Sequence, residues 1–419
     1  YNIGCEKMYI AVMGYGTVGS GVVEVFLKNH DSIIKKCGQS QLDLKYILDL
    51  RDFPNDPNKD KFTKDFNDIL NDDEVKIVVE TMGGLHPAFE FVSSLLKAGK
   101  SVVTSNKELV AAKGYELLSI ADENNVNFLF EASVGGGIPI IRPISQCLAA
   151  NEIDEIAGIL NGTTNFILTM MIEKNMSFDD ALKLAQENGY AEKDPTADIE
   201  GHDACRKICI LASLCFGKHV YPESVHTEGI TKVTLSDVAY VNNLGGVIKL
   251  IGRAKRLDNG KISAVVSPCV VMTSSQLANV SDVFNAILVR GDAIGDVVFY
   301  GRGAGKLPTA SAVVADVIDC AKHTNRKKIF GWGPSEDDYV VDYRELDTAL
   351  FVRATAGDIE KAKKAVEKVF GTVKFVSRDN QPENEFAFVT DNEKEKELIA
   401  KLDSISEIKP CSVIRVSDY

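Results

Sequence analysis

The chain has 419 residues, which at roughly 150 residues per domain implies two to three domains. Its 45% apolar and 26% charged residues exclude disorder, and 47 Lys plus Arg against 60 Asp plus Glu, a net charge of −13, exclude a protein that binds nucleic acid through its phosphates. No run approaches the ~18 apolar residues of a membrane span, and Tyr1–Lys7 lacks a basic-then-apolar leader. The nine Cys, with no CxxC, fit a reduced compartment. A cytoplasmic protein with no membrane partner is therefore expected. Cys205, Cys209 and His202 lie close together, but no second ligand pair stands at zinc spacing, so the cysteines read as small apolar residues on a buried helix face.

In chain order, Met8–Met13 is a short apolar run ending at Gly14 and reads as a buried strand. An amphipathic helix follows from Thr17 to about Lys36. Strands are predicted at Asp43–Leu50, Val75–Glu80, Ser101–Thr104 and Val126–Glu131, with helices at Pro87–Lys97 and Glu108–Asn124. This alternation implies a doubly wound α/β fold with a parallel sheet. After Gly137 the pattern changes. Pro139–Leu148, Phe166–Glu173, Ser177–Asn188 and Asp203–Phe216 read as helices. Glu155–Leu160, Val247–Ala254, Ala264–Thr273 and Phe284–Val289 read as strands of a second, α+β domain. Thr309–Ala321 is helical, and residues 326–347 read as a linker. From about Thr348 the order is strand, helix, strand, strand, helix, strand, a ferredoxin-like βαββαβ module over 348–419. The expected division is thus 1–136 completed by about 301–325, then 137–300, the linker, and 348–419.

Gly14-Tyr15-Gly16-Thr17-Val18-Gly19 fits G-x-G-x-x-G between a predicted strand and a predicted helix. In that setting the glycines permit the tight turn, backbone approach to a pyrophosphate, and close helix–strand packing. The helix N-terminus offers unpaired N–H groups to the phosphates, the mark of a Rossmann-type dinucleotide site. At the end of the second strand, Asp49 would accept bonds from a ribose 2′-hydroxyl and favour NAD. Arg51 would pair a 2′-phosphate and favour NADP. Both stand in the right place, and the choice stays open. Gly301–Lys306 looks like a phosphate loop, but Tyr300 and Leu307 occupy the positions that loop needs as Gly and Ser/Thr.

Hydride transfer to a carbonyl needs a proton donor near the developing alkoxide. The informative polar stretch is Glu187–Asp198 followed by Gly201–Lys207. Asp203 opens a helix and Lys207 lies one turn on, so the two share a face. Spacing alone reads as an exposed ion pair. Beside the apolar Ile208, Ile210, Leu211 and Leu214, however, a lysine can serve as an acid/base.

These residues, with Asn161-Gly162-Thr163-Thr164-Asn165, Ser105-Asn106-Lys107, Glu131–Pro139 and Gly303–Ala312, resemble homoserine dehydrogenase, in order from about residue 8 to 325. The resemblance implies NAD(P)-dependent interconversion of L-homoserine and L-aspartate 4-semialdehyde in the threonine, isoleucine and methionine branch of the aspartate pathway. It makes Lys207 the proton donor, with Lys107 between nicotinamide and substrate. Asp203 and Glu192 would hold the substrate, Glu192 through its α-ammonium, and Asp198 would support them. Gly162, Thr163 and Tyr190 complete the substrate set. The cofactor set is Gly14, Gly16, Thr17, Val18, Gly19, Asp49, Arg51, Thr81, Lys107 and Gly303. The resemblance further implies a monovalent cation, sodium, near Glu131, Val134, Gly136 and Ile138, where backbone carbonyls of a Gly-rich turn supply hard oxygen ligands.

The C-terminal module resembles an ACT domain, which in this family answers to L-threonine. Its first junction, Ala354–Glu360, lacks the usual Pro-Gly-Val-Leu character, so an oligomerising role stays open beside an effector role. A homodimer through the second domain is expected, raised to a tetramer if the module also associates. The alternatives are another two-domain NAD(P)-dependent aldehyde or alcohol dehydrogenase, and a cofactor-sensing regulatory protein. Lys107, Glu192, Asp203 and Lys207 argue against the sensor, which needs no acid/base pair.

Overall fold

The computed structural model describes residues 8–38, 42–324 and 326–417. The chain forms two compact units. One comprises Tyr1–Asn151, Cys209–Pro222 and Gly301–Glu336, the other Glu152–Ile208, Glu223–Tyr300 and Asp337–Tyr419.

The first unit is built on strands β1 (Met8–Met13), β2 (Leu42–Leu48), β3 (Phe62–Thr63), β4 (Val75–Glu80), β5 (Ser101–Thr104) and β6 (Phe128–Leu129). They form one parallel sheet in the order β3-β2-β1-β4-β5-β6. Ile10 to Met13 and Val78–Val79 are fully buried, as central strands covered on both faces must be, and this is why they read as unbroken apolar runs. The long first helix is in fact two, Thr17–Lys28 and His30–Cys37. The break falls at Asn29, a poor helix-interior residue, which caps the first helix through its N–H to Val25 O and starts the second through its carbonyl to Ile33 N–H. The helix Lys306–Lys322 returns to this unit and packs Ala310, Val313, Val314 and Val317 into the core that holds Val22, Val23 and Phe26. Gly21 permits the approach, because a Cβ there would lie 2.9 Å from the Lys306 carbonyl oxygen.

Three expectations change here. Residues 137–151 belong to this unit rather than to the second. The predicted helix Pro139–Leu148 is realised mainly as one wide turn, Pro143–Cys147, closed by Leu148 N–H to Pro143 O at 2.8 Å. Nor is 326–336 a free linker. Trp332 Nε1 donates to His219 Nδ1 at 3.1 Å, Gly333 N–H donates to Gly217 O at 2.8 Å, and the indole lies 3.0 Å from where a Cβ on Gly114 would stand.

The second unit carries β7 (Ile153–Ile159), β8 (His226–Thr227), β9 (Gly246–Arg256), β10 (Ile262–Met272), β11 (Phe284–Gly291), β12 (Gly295–Arg302), β13 (Asp347–Thr355), β14 (Lys374–Val376), β15 (Glu385–Val389), β16 (Glu393–Lys394) and β17 (Lys409–Val416). The order is β12-β11-β7-β9-β10-β17-β13-β15-β14, with β8 beside β10 and β16 beside β13. β9 and β10 form a long antiparallel ladder from Gly246↔Met272 to Arg256↔Ile262. Besides the short β8, β16 and the helix Thr196–Ile199, two longer elements have no counterpart in the sequence reading. One is the helix Leu235–Leu244, announced by a capping box between Thr234 and Asp237. The other is the exposed edge strand β12.

The C-terminal module has the expected βαββαβ order. Its antiparallel sheet β17-β13-β15-β14 is covered by the helices Ile359–Phe370 and Glu395–Asp403 over a core of Leu350, Val352, Phe386, Phe388, Val366 and Leu398. It does not stand apart behind a linker. β17 pairs in parallel with β10 at Cys269↔Arg415 and Val270↔Val416, so one sheet of 11 strands runs through both parts. A bare flank of β10 would leave backbone donors and acceptors unpaired. Ion pairs add to the join, a buried one with Arg353 Nε 2.7 Å from Asp237 Oδ1 and a partly exposed one with Arg415 Nη2 2.9 Å from Glu228 Oε1.

Candidate active site

In the first unit the predicted cofactor residues gather at the carboxyl ends of β1, β2 and β4, where ligands bind in parallel sheets. Gly14 has φ +89°, and a Cβ there would lie 3.0 Å from the Met82 nitrogen. A Cβ on Gly19 would lie 1.8 Å from Gly14 O, so only glycine closes this turn. Gly16, by contrast, has nothing within 4 Å of its Cβ position. It precedes Thr17 and Val18 in the first helical turn, which no side chain caps. An open turn followed by uncapped N–H groups fits a pyrophosphate. Thr81 locks the turn from below, its hydroxyl donating to Gly14 O at 2.9 Å. Gly303 lies against Gly136, whose Cβ would stand 2.4 Å from the Gly303 carbonyl oxygen.

Asp49 is committed to protein donors. Its Oδ2 accepts from Tyr15 N–H at 2.7 Å and from Arg51 Nη2 at 2.8 Å, while Oδ1 accepts from Arg51 N–H and Nε. The Arg51 side-chain bonds, helped by the Arg51 and Tyr15 amides and opposed by burial, hold the carboxyl well below the usual range. Arg51 is 63% exposed against 9% for Asp49, and its guanidinium lies over the Phe53 ring. A cavity of about 410 Å³ opens beside it, lined also by Lys59 and Lys64.

Lys107 begins the helix Lys107–Glu123 and stands on a relay the sequence reading did not find. Buried Glu80 at the end of β4 accepts from Thr104 Oγ1 at 2.5 Å and from Met82 N–H at 2.7 Å. Thr104 Oγ1 accepts from Asn106 N–H, and Asn106 caps the helix through Leu109 N–H while donating to Gly84 O. Burial raises the Glu80 carboxyl against these bonds. An acidic residue closing an apolar strand, Val78-Val79-Glu80, was the available signal.

The turn that follows β6 uses Glu131 differently from a side-chain metal ligand. Its carboxylate accepts from Ile140, Ile141 and Arg142 N–H at 2.6, 2.9 and 2.8 Å. Its own N–H donates to Asp316, which also pairs with Arg142. Gly135 and Gly136, at φ +74° and +55°, turn the intervening chain. The Glu131 carboxylate is thus committed to amides, and a hard cation near Glu131, Val134, Gly136 and Ile138 would have to be held by main-chain oxygens, which a glycine turn can converge. Among the described residues no group of three or more His, Cys, Asp or Glu could hold a metal ion.

In the second unit the acids and the lysine meet. Asn161 caps the helix Gly162–Lys174, its Oδ1 accepting from Thr164 N–H at 2.8 Å. Its Nδ2 donates to Asp198 Oδ1 at 2.7 Å and to Asp203 Oδ2 at 2.8 Å. Lys207 Nζ donates to Asp203 Oδ2 at 2.7 Å and to Leu160 O at 2.8 Å. The Asp203 and Lys207 side chains are only 5% and 10% exposed, which overturns the exposed ion pair that spacing alone suggested. Buried charges of this kind are retained with their partners in place.

The other substrate candidates are placed less centrally. Glu192 is exposed, and only its carbonyl is engaged, by Gln186. The Thr163 hydroxyl donates to the Tyr190 carbonyl, and the Tyr190 ring packs edge-on against Phe166. Gly162 is a packing position, its Cβ site 2.8 Å from Val283 O. Asn161 joins Asp198 to Asp203, and the sequence reading gave it no role of its own.

A glycine turn on a parallel sheet, with a separate buried lysine–carboxylate cluster, defines an NAD(P)-dependent oxidoreductase. The comparisons agree. The family model "Homoserine dehydrogenase, NAD binding domain" matches residues 14–131, and "Homoserine dehydrogenase" matches 139–318. The homoserine dehydrogenase of Pseudomonas aeruginosa is 40% identical over 84% of this chain and 83% of its own, and that of Bacillus subtilis 41% identical over 76% and 74%. The crystal structure of a homoserine dehydrogenase from Thiobacillus denitrificans covers 98% of both chains at 36% identity and TM-score 0.86. A hyperthermophilic archaeal homoserine dehydrogenase in complex with NADPH covers 75% of this chain and 97% of its own, at 30% identity and TM-score 0.64. The chain belongs to the homoserine dehydrogenase family.

Proposed function

We propose that Lys207 carries the proton in the interconversion of L-homoserine and L-aspartate 4-semialdehyde. The buried bonds from Lys207 and Asn161 to Asp203 carry this reading. The dinucleotide, when bound, supplies the hydride acceptor or donor. In the reducing direction the Lys207 ammonium gives its proton to the developing alkoxide oxygen, and in the oxidising direction the same nitrogen takes it back. Asp203 holds that nitrogen in place, and Asn161 fixes Asp203 and Asp198 together. Glu192 pairs with the substrate α-ammonium, and Lys107 faces the reacting oxygen as a second positive charge. The exposed Arg51 guanidinium, with Lys59 and Lys64 about the same cavity, favours NADP by pairing its 2′-phosphate. Asp49 orients Arg51 rather than reading the ribose.

Sodium, held by main-chain oxygens of Glu131, Val134, Gly136 and Ile138, would order that turn. The C-terminal module is ACT-like and offers a site for L-threonine, and the molecule works as a homodimer or tetramer in the cytoplasm. The test is oxidation of L-homoserine with NAD and NADP in parallel, with and without L-threonine, for the wild type and Lys207→Ala. Reduced cofactor forming in the wild type and not in the variant supports the reading. Equal rates in the two remove Lys207 from the mechanism.

A further inference from the structure

Arg415 lies on β17, in the C-terminal module, far along the chain from the acids. Its Nε and Nη2 bind Glu395 Oε2 and Oε1, each at 2.7 Å, and Nη2 also reaches Glu228 Oε1 at 2.9 Å. The guanidinium is 5.0 Å from the centre of the Tyr343 ring, and His226 stacks on Tyr343 at 3.8 Å while bonding Glu228 Oε1 at 2.7 Å. Burial raises the Glu228 carboxyl, but the Arg415 bond and then His226 outweigh it, and the group stays below its ordinary range.

Glu228 is a joint between this cluster and the acids. Its N–H donates to Val266 O on β10 at 2.8 Å. The next residue, Gly229, sits so close to the turn at residues 199–201 that a Cβ would lie 2.2 Å from Ile199 O. Ile230 N–H donates to that same oxygen at 2.8 Å. On the other side, a Cβ on Gly201 would lie 3.2 Å from the Glu228 carbonyl oxygen. Residues 199–201 are the short connection between Asp198 and Asp203, and the Gly201 carbonyl accepts from Cys205 N–H in the first turn of the helix bearing Asp203 and Lys207.

We infer that Arg415 and Glu228 are positioning residues for the reaction. Together they clamp the 228–230 segment on residues 199–201 and so fix the separation of Asp198 and Asp203. The C-terminal module then contributes to the substrate site through one guanidinium, without touching substrate. Contacts this close leave 199–201 no independent freedom, so loosening Glu228 shifts both acids at once. The inference rests on the reading of Asp198 and Asp203 as substrate-holding acids.

The test is steady-state kinetics of full-length Arg415→Met, Arg415→Lys, Glu228→Gln, the Arg415→Met/Glu228→Gln double variant and Asp203→Asn. Arg415→Met and Glu228→Gln are each expected to raise the KM for L-homoserine about 3- to 30-fold, with the dinucleotide KM within about twofold of wild type. The double variant should be no worse than the poorer single one, because both remove the same clamp. Arg415→Lys keeps the charge and loses the fork, and should fall between wild type and Arg415→Met. General damage to the fold would move both KM values together, and that result overturns the inference. So does a wild-type homoserine KM in Glu228→Gln, the near-isosteric change that decides the matter should Arg415→Met not fold. If Asp203→Asn alone raises the homoserine KM, the acids keep their role and the clamp falls. If Asp203→Asn leaves it unchanged, the reading of the acids falls and the inference with it.

Discussion

At the dinucleotide end the working groups are main chain, and at the acid cluster they are side chains. Gly14, Gly16 and Gly19 act by what they lack, and the turn is fixed by a Thr81 hydroxyl on a carbonyl oxygen. Asn161, Asp198, Asp203 and Lys207 act by what they carry, and they come from three separate elements. The first arrangement tolerates no added atom at Gly14 or Gly19 but asks little of charge. The second, on the proposed reading, depends on a single proton donor, Lys207. The two ends should therefore fail differently when altered.

The sharpest separation is expected at Lys207. Lys207→Ala should lower kcat by about 10²- to 10⁴-fold, the usual loss of a positioned proton donor, while fluorescence titration finds dinucleotide affinity unchanged. A parallel loss of affinity would mean that the two ends are not independent. Gly19→Ala should do the reverse, because its Cβ would collide with Gly14 O. Dinucleotide affinity should fall at least tenfold, with a stability loss of about 1–3 kcal/mol from overpacking. Binding at wild-type strength in that variant would contradict the geometry of the turn.

A smaller effect is expected at Arg51, which is charged but not built into the turn. Arg51→Ala should raise the KM for NADP about 10- to 100-fold and leave that for NAD nearly unchanged. Equal changes for both cofactors would remove the 2′-phosphate from the argument. A further effect is on stability alone. Lys249 on β9 is buried, with Nζ bonded to Val280 O at 2.6 Å and Asn165 Oδ1 at 3.1 Å, and burial lowers its pKa to about 8. Between about pH 8 and its ordinary 10.5 the unfolded chain holds a proton that the folded chain has released. Folding stability from this group therefore rises with pH across that window. Urea unfolding should show the rise in the wild type and lose it in Lys249→Met. An unchanged slope would assign the rise to another group.

The same contrast explains what could be read in advance. The parallel sheet was legible from unbroken apolar runs such as Met8–Met13, and the glycine turn from its spacing between strand and helix. The turn's chemistry is local, so local sequence reports it. Asp203 and Lys207 were legible as one helical face, but not their burial, which depends on Leu160 and Asn161 some forty residues earlier. The Glu80–Thr104–Asn106 relay under Lys107 joins the ends of two neighbouring strands, and no periodicity records such a meeting. Asp49 and Arg51 looked like competing readers of a ribose. Only the geometry shows one holding the other. The module boundary at 348 was drawn from a change of element pattern. Such a pattern is blind to β17 pairing with β10, because edge pairing uses backbone groups that every residue has.

That pairing has a practical consequence for anyone who shortens the gene. Cutting before residue 348 would not release a self-contained catalytic core. It would uncover the flank of β10 at Cys269 and Val270, among residues that are buried almost throughout, and leave Asp237 and Glu228 without their arginines. An exposed apolar strand edge invites strands from other molecules. A truncated product should accordingly be recovered as aggregate, whereas a full-length chain nicked at the tip of the Leu257–Lys261 hairpin, with both pieces retained, should remain in solution.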